Sequence, residues 1–138
     1  MQADARPDSP HHEAHMAQTT ATTGTGLAPN VAGLLTYLLG PITGVLFLVL
    51  EKENRFVRFH AFQSVAVGVA LIAISIVLGV VSSVLAFVPV LGWIVAIVAN
   101  LGFGLVTLVL WIALMLRALG GHEWELPVVG RWARSQVG

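Results

Sequence analysis

Apolar residues run almost unbroken through three stretches of the chain: Asn30 to Leu50, about Ser64 to Ala86, and about Trp93 to Leu116. Each is close to the ~20 residues that a helix needs to cross roughly 30 Å of hydrocarbon. The second stretch holds 13 Leu, Ile or Val residues. At about −0.3 to −0.6 kcal/mol each, they favour membrane insertion by roughly 4–8 kcal/mol before glycine and serine are subtracted. Pro89 and Gly92 in "FVPVLG" predict a tight turn after it, so the second and third stretches are expected to form an antiparallel hairpin. The pattern predicts an all-α integral membrane protein with three transmembrane helices.

The first stretch carries Gly40-Pro41 at its centre. Pro41 cannot donate to the carbonyl of Tyr37, so the expectation is a transmembrane helix kinked there. A re-entrant pair of half-helices, 30–39 and 42–50, is the alternative, tolerated only if the break is buried in protein.

Composition sharpens this picture. The 138-residue chain is 57% hydrophobic and 10% charged, against roughly 25% charged residues in an ordinary soluble domain. A small soluble domain leaves too much of its surface exposed to hide so much apolar area, so the bilayer is the natural solvent. Net charge is zero, which gives no bulk field toward nucleic acid. The absence of cysteine excludes disulfides, thiol catalysis and cysteine metal sites. Residues 1–26 lack an apolar signal-peptide core and are rich in Ser, Thr, Gly, Asp and Pro, which predicts a disordered tail. Residues 27–117 form the transmembrane domain and 118–138 an interfacial tail.

Between residues 14 and 120 the formal charges are Glu51, Lys52, Glu53, Arg55, Arg58 and Arg117, five of them in one short stretch. Lipid excludes them elsewhere, which makes 51–63 the link between the first two spans. With three crossings this link and the C-terminal tail share a side holding Lys52, Arg55, Arg58, Arg117, Arg131 and Arg134. The positive-inside rule makes that side cytoplasmic in a plasma-membrane protein and puts the N-terminal tail, with Arg6, outside. The re-entrant alternative puts every basic residue inside.

Phe56, Phe59 and Phe62 recur every three residues, a spacing that lets them lie at the headgroup boundary. Glu51 precedes Arg55 by four, the favourable order for a helix pair, and Arg55 and Arg58 can reach lipid phosphate. His60, Gln63 and Ser64 carry polarity into the second span, where they can hydrogen-bond a neighbouring helix or a partner.

Small residues form a stripe on the second span at Ser64, Gly68, Ser75, Gly79, Ser82 and Ala86. The third answers with Gly92, Ala96, Asn100, Gly104 and Thr107, and the first with Gly33, Gly40 and Gly44. Such stripes let helix backbones approach in lipid, and Asn100 is expected to bridge two helices. No ionisable side chain lies inside any span, which argues against a proton or ion relay.

In the tail, "RALGGHEWELPVVGRWARSQVG" interleaves Trp124, Leu126, Val128, Val129 and Trp132 with charged residues, as an interfacial segment does. Glu123 or Glu125 is expected to contact Arg55 or Arg58, so that Glu123, Trp124, Glu125 and Pro127 close the cytoplasmic end. "HHEAH" places His11 and His15 four apart, beside His12 and Glu13, but a histidine pair in a disordered tail is a poor metal site. Ser64 and His60, four apart and near Glu53, lack any nucleophile signature, and no phosphate-cradling loop is present. No cofactor is expected.

The stretch "NVAGLLTYLLGPITGVLFLVLEKENRFVRFHAFQS", followed by the apolar pair and "WIALMLRALGGHEWELPVVGRWA", resembles a bacterial and archaeal family of small membrane proteins of unknown function. That family is similar to the twenty-kilodalton inner-envelope subunit of the chloroplast protein-import translocon. The resemblance covers about residues 27–134. Its most specific pieces are "RFVRFHAFQS" and the spacing of Gly121, Leu126, Pro127 and Gly130. It implies a link to protein translocation or insertion, although the plastid subunit is described with four membrane helices against three spans here.

The expected function is a non-catalytic scaffold or subunit in the lipid bilayer. It would bind other membrane proteins, or itself, through the small-residue faces and the 51–64 link. An oligomeric channel or carrier for a small solute is the alternative.

Overall fold

The computed structural model describes residues 23–138. Its elements are α1 (Pro29–Leu35), α2 (Pro41–Leu50), α3 (Arg55–Leu85), α4 (Leu91–Leu119) and α5 (Val129–Val137). Helices α3 and α4 are long and apolar enough to cross a bilayer, and α2 is a shorter apolar helix. The protein is therefore an all-α, multi-span membrane protein. The expectations for residues 1–22, including His11, His12, Glu13 and His15, lie outside the described residues.

The first span departs from the expected single kinked helix. It is two helices separated by Thr36–Gly40, and each starts on a proline that needs no backbone donor. Gly40 adopts φ +60, the left-handed region that a side chain would resist, and this reverses the chain. The two arms form a V. At its tip, a Cβ added to Gly68 of α3 would lie 2.5 Å from Pro41. Along the returning arm, Gly44 packs on Ala61 and Val65. The arms end together: Glu51, just after α2, receives hydrogen bonds from Gly24 and Thr25, just before α1. Asn30 at the start of α1 donates to the carbonyl of Leu119 at the end of α4.

The charged link is also not one loop. Asn54 caps α3 by accepting from the Val57 N–H, so the helix starts at Arg55 and runs 31 residues, about 46 Å. Phe56, Phe59 and Phe62 thus lie in its first turns. Phe59 is buried rather than at the headgroup boundary, because the V and α5 cover this end of α3.

Helices α4 and α5 begin with the same pattern, Val88-Pro-Val-Leu-Gly92 and Leu126-Pro-Val-Val-Gly130. In each, the central valine takes a positive φ, 63 at Val90 and 72 at Val128, and closes a three-residue turn from the proline carbonyl to the residue after it. Such γ-turns are strained and rare for a β-branched residue. The following glycine allows it: Gly92 sits against the Leu85 carbonyl and Gly130 against the backbone of Glu125, where a Cβ has no room. Gly92 of the expected small stripe therefore serves the close approach at the start of α4. The stripe divides further along. Gly33, Gly44 and Gly68 face packed atoms, whereas nothing lies within 4 Å of a Cβ added at Gly79 or Gly104, and Ser75 is exposed.

Replacing Gly68 by Leu forces the side chain into Pro41 and should lower stability by about 1–3 kcal/mol, read as thermal unfolding in mild detergent. Gly79→Ala, which points into open space, should stay within about 0.5 kcal/mol of the parent.

Candidate functional site

Breaking a helix inside an apolar protein frees backbone carbonyls that neither water nor lipid can satisfy. The site is built around that need. The Ser64 hydroxyl on α3 lies 2.6 Å from the carbonyl oxygen of Thr36 and 2.9 Å from that of Gly40, and shares its one proton between them. Thr43 on α2 approaches the same two carbonyls at 2.9 and 3.2 Å, and its oxygen accepts from the Leu39 N–H. Trp111 on α4 donates its indole N–H to the Tyr37 carbonyl at 2.6 Å. Three helices thus supply side-chain donors to one break.

Tyr37 lies across the break, 2% exposed, with its hydroxyl 3.1 Å from His60 Nδ1. The His60 ring is enclosed edge-on by Tyr37, Phe56 and Phe59. Below the break is a cavity of about 220 Å³ lined by Tyr37, Pro41, Gly68, Thr107, Trp111 and Leu114 among others. Its walls are apolar apart from a few hydroxyls, which suits a hydrocarbon chain better than an ion. The possible Ser64–His60 catalytic pair is not assembled: the serine proton goes to backbone carbonyls and the imidazole to tyrosine. Among the described residues, no group of three His, Cys, Asp or Glu is placed to hold a metal.

Glu51 was read as a helix partner of Arg55, and the structure overturns this. Its carboxylate is buried and accepts from the Gly24 N–H at 2.8 Å, the Thr25 N–H at 3.0 Å and the Thr25 hydroxyl at 2.8 Å. Residues 23–26, assigned from the sequence to a disordered tail, are folded onto it.

The tail closes the same end with different partners from those expected. Glu123 and Glu125 pair with Arg134, the latter at 2.6 Å, rather than with Arg55 or Arg58. The reason is proximity: Pro127 and the Val128 turn fold α5 back over residues 123–125. Burial alone would lower the Arg134 pKa, but hydrogen bonds and charge from Glu123 and Glu125 outweigh it and raise it. Its guanidinium also lies 4.7 Å over the Phe59 ring, and Trp132 meets Phe62 edge-on. Gln63 donates to the Trp124 carbonyl at 3.1 Å, and Arg55 reaches the Gly138 carbonyl. Arg58 instead stacks on Phe62 and donates to the Lys52 carbonyl. Of the sequence-derived candidates, His60, Gln63 and Ser64 therefore converge on neighbouring elements. Ser75, Gly79 and Gly104 do not. Asn100 bridges α4 to α3 through Ser82 at 2.8 Å, and also bonds the Ala96 carbonyl, yet stays exposed.

Sequence reasoning missed Thr36, Tyr37, Thr43, Trp111 and the anchoring role of Glu51. A usable signal was present: Thr36 and Thr43 stand on either side of Gly40-Pro41, four residues before and two after, in an otherwise apolar run.

Ser64→Ala should cost about 1 kcal/mol, because Thr43 still serves both carbonyls. The double variant Ser64→Ala, Thr43→Val should lose more than the sum of the singles in detergent unfolding, since each hydroxyl covers for the other. Glu51→Ala should accelerate hydrogen exchange at Gly24 and Thr25 by roughly tenfold or more, given about 1.5–3 kcal/mol for a bond to a charged group.

The family described as the magnetosome magnetite crystal formation protein family matches residues 17–133. A UPF0132 membrane protein of Methanocaldococcus jannaschii is 43% identical over 108 residues, covering 78% of this chain and 87% of the relative. One from Archaeoglobus fulgidus is 40% identical over 109 residues, covering 79% and 95%. A second Methanocaldococcus jannaschii protein is 36% identical over 105 residues, covering 76% and 67%. No solved structure matches. These matches give no separate support to the finer likeness to the chloroplast translocon subunit. With the family match spanning most of its length and relatives covered nearly end to end, the chain belongs to the magnetosome magnetite crystal formation protein family, alongside small archaeal UPF0132 membrane proteins.

Proposed function

We infer that the protein is a non-catalytic membrane scaffold or subunit. Helices α3 and α4 cross the bilayer as an antiparallel pair, and the α1–α2 V enters and leaves on one side. The same-side reading is supported by Glu51 holding Gly24 and Thr25, and by Asn30 meeting Leu119. All basic residues from Lys52 to Arg134 then share that side, which the positive-inside rule makes cytoplasmic.

The observation that carries a partner-binding role is the exposed Asn100–Ser82 pair. Both lie within the apolar halves of α3 and α4, beyond the reach of the V. A carboxamide facing hydrocarbon is costly, and an incoming helix that covers it removes that cost. Gly79, Gly102 and Gly104, with open space in front of them, let such a helix approach closely. A role linked to protein translocation or insertion is the form this takes if the translocon resemblance extends to function.

The family description refers to magnetite crystal formation. Among the described residues, three of the four acidic side chains are already committed, Glu51 to backbone N–H groups and Glu123 and Glu125 to Arg134. For this chain we therefore favour membrane assembly over direct mineral contact.

Purification in mild detergent after crosslinking tests the reading. Recovery of another membrane protein in fixed proportion, lost in Asn100→Leu and weakened several-fold in Gly104→Leu, is the expected result. A symmetric homo-oligomer with Asn100 on a hydrated axis would favour the channel or carrier instead. A monomer with no partner, indifferent to both substitutions, would defeat both.

A further inference from the structure

The two ends of the long helices are dressed very differently. At one end α3 and α4 are joined by α1, α2 and α5. The V stops at Gly68 on α3, where Pro41 meets it, and at Trp111 on α4, which bonds the Tyr37 carbonyl. Beyond Gly68, α3 runs on to Leu85, about 25 Å, and α4 covers a similar distance between Trp111 and Leu91. Helices about 10 Å across thus number four or five at one end and two at the other, so the cross-section there is roughly doubled.

The extra helices carry apolar residues outward. Leu39 and Ile42 at the tip of the V are 63% and 71% exposed, and Val45, Leu46 and Val49 continue that surface along α2. They can rest only in the acyl region of one leaflet. Trp132 on α5 and Val128 just before it are also exposed. The six basic residues among the described ones lie at this wide end, while residues 59–116 carry none. Apolar insertion limited to one leaflet, flanked by cations, spreads that leaflet relative to the other.

We propose that the protein is a wedge whose occupant is a convex, anionic lipid leaflet, and that it gathers on membranes curved toward its α1–α2–α5 end. The inference rests on the two-crossing topology given above. The full chain contains no cysteine, so single-cysteine variants report topology cleanly. Leu27→Cys and Ser135→Cys should react with an impermeant maleimide from the same side, and Phe87→Cys, at the α3–α4 turn, from the other.

The curvature test uses the full chain in phosphatidylcholine–phosphatidylglycerol vesicles extruded to graded diameters, sorted for α5 facing outward. Protein per lipid area should rise at least about twofold from the largest vesicles to the smallest, as expected of shallow, curvature-sensitive insertion. Leu39→Asp with Ile42→Asp, both at exposed positions, should withdraw the tip from the hydrocarbon and flatten that rise. A density independent of diameter, with Leu27 and Ser135 still labelled from one side, would overturn the wedge and leave the topology standing. Labelling of those two from opposite sides would overturn both. A rise that the double substitution leaves unchanged would remove the V as its cause.

Discussion

The constraint on which this fold depends is the satisfaction of three backbone carbonyls. Once the chain reverses at Thr36–Gly40, the Thr36 carbonyl accepts no backbone hydrogen bond, while those of Tyr37 and Gly40 keep one each, from the Gly40 and Gly44 N–H groups, and a second acceptor site on each needs a side-chain donor. Irregular backbone survives at such a place only when protein surrounds it. Ser64, Thr43 and Trp111 surround it, each from a different helix. The same contacts hold α1 and α2 to α3 and α4, so the solution to a hydrogen-bonding problem is also what packs the molecule.

From that junction the rest follows by geometry. Because the chain turns back, the two arms finish side by side, and Glu51 meets the start of the folded chain. Small residues serve where arms meet helices, at Gly33, Gly44 and Gly68, and remain open where no described element covers them, at Gly79 and Gly104. The tail completes the same end: Arg134 ties Glu123 and Glu125 to the Phe59 ring, and Gln63 ties α3 to the Trp124 backbone. The molecule is therefore polar, charged and crowded at one end, and bare and apolar at the other.

This asymmetry links structure to function more directly than any single residue does. Family membership establishes a small membrane protein and leaves its task open. The crowded end carries the exposed apolar residues of the V, and the bare end carries open glycines and an Asn–Ser pair. On the proposed reading, recognition of lipid and recognition of protein fall on different halves of the same two helices.

The sequence by itself determined the solvent, the two long helices and the place of the charges, because an unbroken apolar run long enough to cross a bilayer has few other uses. It also marked Gly40-Pro41 as a disruption and His60, Gln63 and Ser64 as polarity in need of partners. It left open whether the disruption bends the helix or reverses it. That depends on whether donors elsewhere in the chain can reach the carbonyls of the break, and Ser64 and Trp111 are 28 and 74 residues away from theirs. Glu51 was misread for a related reason: its distance to Arg55 along a helix is visible in the sequence, whereas the backbone of Gly24 and Thr25 comes near only once the V has closed. Local periodicity is written in neighbouring residues, but the satisfaction of a broken backbone is decided by residues that only tertiary structure brings together.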